Sequence, residues 1–118
     1  MLTYEIEKLL IRLAKEKKTI TYSQLASYIN KKSAKKLPER GSALGTVLSK
    51  HLHTLCEKYV KNGKPMIGSL VVSKKTGMPS EGFFKFAGKL YKIDLKNDDQ
   101  KKIFWQNELK RVFKEFED

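Results

Sequence analysis

Apolar residues at Ile6, Leu9, Leu10, Leu13 and Ala14 recur at i, i+3, i+4, i+7 and i+8, the spacing of one helix face. This predicts a helix over 3–17, with Thr3 as its N-cap and Lys15 to Lys18 at the negative end of its dipole. Thr19-Ile20-Thr21 has room only for a small strand. Thr21 and Gln24 then form a T-x-x-Q capping box, which predicts a second helix over 21–30 with Tyr22, Leu25, Ala26 and Ile29 as its inward stripe. A loop follows, NKKSAKKLPER at Asn30 to Arg40. From Ser42 the helical period returns at Leu44, Val47, Leu48, His51, Leu52, Leu55 and Tyr59, predicting a long helix over 42–61. Asn62-Gly63 stops it, and Pro65 confirms the break.

The second part of the chain changes character. IGSLVVS at Ile67–Ser73 has the composition of a strand and is expected to pair with Thr19–Thr21. KKTGMP at Lys74–Pro79 is a turn. Phe83, Phe84, Ala87, Leu90 and Tyr91 suit a short helix. Asn97 and Gln100 repeat the capping-box logic before a last amphipathic helix marked by Trp105, Leu109, Val112, Phe113 and Phe116. The expected architecture is α+β: one domain over 1–118, with a helix-turn-helix part (1–64), a strand and turn part (65–96) and an added C-terminal helix (97–118).

Charge gives this pattern a direction. The 118 residues carry 25 Lys and Arg against 13 Asp and Glu, a formal +12. Residues 1–64 hold 14 of the basic and 5 of the acidic groups, so the excess sits with the helix-turn-helix part. A basic half points to a polyanion, and nucleic acid is the commonest one. A single cysteine, Cys56, excludes an intramolecular disulfide and a cysteine zinc cluster. No apolar run has signal-peptide or membrane-spanning length, so the expected location is cytoplasmic, with no membrane partner.

The run from Ile20 to Leu48 resembles the DNA-binding domain of the alkylguanine-DNA alkyltransferases and the alkyltransferase-like proteins. The matching text is TYSQLAS at Thr21–Ser27, the basic loop, and SALGTVL at Ser42–Leu48. PMIGSLVVSKKTG at Pro65–Gly77 stands where that family has its active-site strand. The resemblance implies a winged helix, with Tyr22 matching the tyrosine that rotates a nucleotide out of the duplex. Gly45 matches the glycine that lets the recognition helix approach closely. The family's intercalating arginine falls on Ser42, with Arg40 as the available substitute. Its reactive Pro-Cys-His-Arg motif falls on Ile67, Gly68, Ser69 and Leu70, so nucleophile and activating histidine are both missing there. Cys56 lies elsewhere, inside a helix. The resemblance therefore implies DNA binding without alkyl transfer. The chain also looks like a group of short bacterial proteins of unassigned function that share a VVxKxTGxPxxGFF segment, which here is VVSKKTGMPSEGFF at Val71–Phe84.

Candidate contacts follow from residue type. Ser42, Thr46, Ser49, Lys50 and His53 leave the apolar stripe of the long helix and are placed to face a groove. Lys31, Lys32, Lys35, Lys36 and Arg40 flank it, and Lys74 and Lys75 stand at a wing tip. A solvated helix face and an ordinary exposed loop are the bland readings of the same residues. For Tyr22, the core or support of the loop is the bland reading. There are only three arginines, Arg12, Arg40 and Arg111, and arginine is the commonest bidentate reader of guanine. Binding weighted to the phosphate backbone is expected. His51 and His53, two apart on a helix, point to opposite sides, so no metal site is expected. No catalytic constellation and no cofactor motif occurs. Phe83, Phe84, Phe86, Tyr91, Phe104, Trp105, Phe113 and Phe116 are expected mostly as core, with part left as an aromatic patch for a protein partner.

The sequence thus predicts a non-enzymatic winged helix-turn-helix protein that binds nucleic acid, DNA ahead of RNA, in an accessory or regulatory role such as that of a phage or mobile element. The competing class is a basic protein-interaction module, an inhibitor or adaptor of a nucleic-acid-binding enzyme.

Overall fold

The capping box at Thr21 forms in full. Thr21 Oγ1 accepts from Gln24 N–H at 3.1 Å, and Gln24 Oε1 accepts from Thr21 N–H at 3.1 Å. Each satisfies a backbone donor that the first helical turn cannot. The computed structural model describes the backbone of residues 2–32 and 42–117 and the side chains of 2–31 and 47–117. Its elements are α1 (Leu2–Lys15), β1 (Ile20–Thr21), α2 (Tyr22–Lys32), α3 (Ser42–Lys61), a 3₁₀ turn (Ile67–Leu70), β2 (Val71–Val72), α4 (Glu81–Tyr91) and α5 (Asp98–Glu115).

β1 and β2 pair in parallel, Ile20 with Val71 and Thr21 with Val72. Among the described residues they are the whole sheet. Two expectations are corrected here. Ile67–Ser73 is not one strand, because its first four residues form the 3₁₀ turn and only Val71–Val72 extend. The turn packs deep, and Ser69 ties back to Met66 O through both N–H (3.1 Å) and Oγ (2.8 Å). Thr3 is not an N-cap: α1 starts before it, and its hydroxyl is instead 2.7 Å from His51 Nδ1 on α3.

α1, α2, α3 and the 3₁₀ turn bury Ile6, Leu10, Leu25, Ile29, Leu48, Leu55, Ile67 and Leu70 in one core, closed from the far side by Val112 of α5. A second cluster joins Cys56 and Met66 to Phe83, Phe84 and Ala87 of α4. The other aromatic residues of α4 and α5 pack half-buried against these clusters. Of the eight aromatics named above, Phe83 and Phe84 are buried and the other six half-buried; among the described residues the exposed large apolar side chains are Tyr4, Ile93 and Ile103.

Glu108 holds α5 in place. It is buried, 3% exposed, and its carboxylate accepts from Met66 N–H (2.9 Å), Tyr91 O–H (2.7 Å) and the Arg111 guanidinium. Burial, with Glu108 beside it, pushes the Tyr91 hydroxyl up to about 12, so it stays a donor across the working pH range. A buried carboxylate is tolerable only with such donors around it. Three helix ends close at a residue in the left-handed conformation. Gly63 (φ +74°) closes α3, with Lys64 N–H reaching Tyr59 O at 2.8 Å. At Lys17 and Lys92 a lysine takes the same left-handed conformation, φ 56° in both.

Candidate nucleic-acid interface

The described lysines of the long third helix differ in their partners. Toward its C-terminus the lysines are matched: Lys58 Nζ lies 3.4 Å from Glu7, Lys61 3.1 Å from Glu57, and Lys64, just beyond, 4.0 Å from Glu115. Lys50, two turns earlier, is exposed and makes no ion pair among the described residues, and neither does exposed Lys31 at the end of α2. Lys31 leads directly into the basic loop in sequence, and Lys50 stands in the middle of α3. The side chains of Lys32, Lys35, Lys36, Arg40, Ser42 and Thr46 lie outside the described residues.

The face of α3 expected to read a groove is partly covered. Ser49 and His53 are half-buried, because the N-terminal end of α4 lies against them. The His53 ring stacks on Phe86, centroids 4.2 Å apart and planes within 7° of parallel. Burial lowers the His53 pKa from 6.5, and nearby Lys89 lowers it further, while a hydrogen bond with the Gly82 backbone opposes both. A neutral ring is thereby favoured. Of the five groove-facing candidates on α3, the exposed one among the described side chains is Lys50. His51 turns to the opposite side, toward Thr3, and no group of three metal-ligating side chains occurs among the described residues.

Tyr22 is fixed rather than free. Its hydroxyl accepts from Ser80 N–H at 3.0 Å and donates to Ser80 Oγ at 3.2 Å. It thereby pins the loop before α4 to the start of α2. Behind this clamp Tyr22, Ser49, His53, Cys56 and Gly68 line a cleft of about 10 Å³, room for about one water.

Cys56 was expected apart from the strand that carries Gly68. The fold instead brings them together: a Cβ built on Gly68 would sit 2.9 Å from Cys56 Sγ. The thiol is 1% exposed, and burial pushes its pKa up to about 12, against the lowering effect of a hydrogen bond with the Gly68 backbone. At neutral pH only about one such thiol in 10⁵ is thiolate, the reactive form.

Lys74 and Lys75 are exposed on a turn closed by Ser73 N–H to Met78 O (2.8 Å) and Gly77 N–H to Ser73 O (2.8 Å), with Gly77 at φ +75°. Among the described residues the turn returns into no strand beside β2. Lys85 and Lys89 add two exposed cations on α4, four apart on one face, that make no ion pair among the described residues. Their i, i+4 spacing was readable, but nothing in the sequence placed α4 beside α3. No described helix is long and apolar enough to cross a membrane. The chain matches no protein-family model, no curated protein and no solved structure.

Proposed function

We propose that the protein is a non-catalytic nucleic-acid-binding protein of winged helix-turn-helix type that holds duplex DNA mainly by its phosphates. The observation that carries this reading is the division of lysines on α2 and α3. Those in the C-terminal part of α3 are neutralised by glutamates, whereas Lys31 near the end of α2 and Lys50 in the middle of α3 are exposed with no ion pair among the described residues. Compensated charge serves the fold, and uncompensated charge of one sign is available to a polyanion. The order of α1, β1, α2, basic loop and α3, with β1 held against β2, supports the helix-turn-helix assignment. Covered Ser49 and His53 favour contacts to backbone over contacts to base edges. The inert thiol of Cys56 supports a role without alkyl transfer.

Duplex binding tests this reading. Log K should fall with log salt by about 0.9 per phosphate contact, because each neutralised phosphate releases condensed counterions. Replacing Lys31, Lys32, Lys35 and Lys36 together with Ala should flatten that slope and weaken all sequences alike, with circular dichroism unchanged. A folded quadruple variant that binds duplex with an unchanged slope would remove the basic loop from the interface and favour the protein-adaptor reading.

A further inference from the structure

We propose that the groove between α1, β1 and α2 is a docking site for a short amphipathic, acidic helix of a protein partner. The groove measures about 550 Å³, within the roughly 300–1,000 Å³ of specific clefts. Its apolar lining comes from half-buried Ile20 and the Tyr28 ring over the more deeply buried Leu9 and Leu13. Its cations are Arg12 and Lys31, and among the described residues it contains no carboxylate. Two other open grooves of similar size differ on this point. The one between α4 and α5 contains Glu81 and Asp94, and the one beside Gly63 contains Glu115. Apolar floor and cationic rim together fit an occupant with apolar side chains on one face and carboxylates beside them.

The wall formed by α2 sets the occupant's shape. Ser23, Ser27 and Lys31 stand at i, i+4 and i+8, so the wall runs about 12 Å, two helical turns at about 1.5 Å per residue. Serines at the first two positions keep that wall low, which lets a helix approach closely. Single-stranded nucleic acid fits less well. It binds by stacking bases on open aromatic faces. The aromatic ring here, Tyr28, already has Arg12 over it, the guanidinium 5.6 Å from the ring centroid. That contact also fixes the guanidinium at the groove's edge, so less side-chain freedom is lost when a carboxylate arrives.

Fluorescence anisotropy with three labelled peptides of equal length tests the proposal on the 118-residue chain: a helical Glu/Leu peptide, its Lys/Leu counterpart, and a Glu/Ser peptide. The Glu/Leu peptide should bind at least about tenfold more tightly than either of the others. Ser23→Trp places a large ring in the channel from an exposed position and should weaken that binding about tenfold or more, with duplex DNA binding retained. Arg12→Glu should weaken it similarly, so the proposal does not hang on one variant. Equal affinity for the Glu/Ser peptide would reduce the site to bulk charge and overturn the proposal. Unchanged affinity in both variants would place the peptide elsewhere and overturn it too. A single-stranded oligonucleotide whose affinity falls in Ser23→Trp would assign the groove to nucleic acid instead.

Discussion

Gly68 shows how one missing methyl group shapes the interior. Its Cα lies where any side chain would strike Cys56 Sγ, and that sulfur is locked in the packed cluster with Met66 and Phe83. Gly68→Ala should therefore destabilise by about 1–3 kcal/mol, the usual cost of overpacking. Adding Cys56→Ala should recover most of the loss, since it removes the colliding atom; urea unfolding of both variants measures the coupling. Glu108 illustrates the opposite problem, a charge that must stay. Glu108→Gln turns an acceptor of three bonds into an amide that presents hydrogens to donors. A loss of about 2–3 kcal/mol is expected in the same assay, limited by the ability of half-exposed Arg111 to return to water.

At the scale of elements, the α3–α4 contact depends on an uncharged His53. The ring's pKa is lowered in the folded protein, so the unfolded chain binds the proton more readily. The stabilisation is complete above about pH 6.5 and is lost as pH falls below that value toward the lowered one. Thermal melting should show a decline that begins as pH falls below 6.5, before the carboxylates titrate. His53→Phe, which keeps a ring over Phe86, should remove this part of the decline; an unchanged pH profile would show that the stack does not sense protonation. The elements themselves were largely legible. α1, α2 and α3 fall within two residues of their expected bounds, because a repeated apolar stripe, a reciprocal capping box and Asn62-Gly63 act locally. Ile67–Leu70 was not legible, since a short apolar run serves a buried helical turn as well as a strand. Nor was the left-handed conformation at Lys17 and Lys92, because lysine carries no signal for it. For the candidate site, charge was legible in the sequence and geometry was not. The exposed lysines could be named from sequence, whereas the cover over Ser49 and His53 depends on residues some thirty positions later in the chain.

For the whole molecule, +12 on 118 residues means that the folded state repels itself. Added salt screens this repulsion and would also screen the proposed attraction to DNA. The two effects have opposite consequences. Raising sodium chloride from about 0.05 to 0.2 M, a range over which the screening length shortens markedly, should raise the melting temperature while weakening duplex binding. Paired titrations by calorimetry and anisotropy check the signs. Melting temperature and affinity that fall together would mean that ion pairs such as Lys58–Glu7 and Lys101–Glu81 outweigh the self-repulsion.

Ile20 and Val71 meet across about fifty intervening residues, with the basic loop inside that span. Closing such a loop costs chain entropy that grows only with the logarithm of its length, so ten extra residues add about 0.2 kcal/mol. Length in the basic segment is thus nearly neutral for folding. A lineage is free to lengthen, shorten or recharge it while the helices and the two-rung sheet stay as they are.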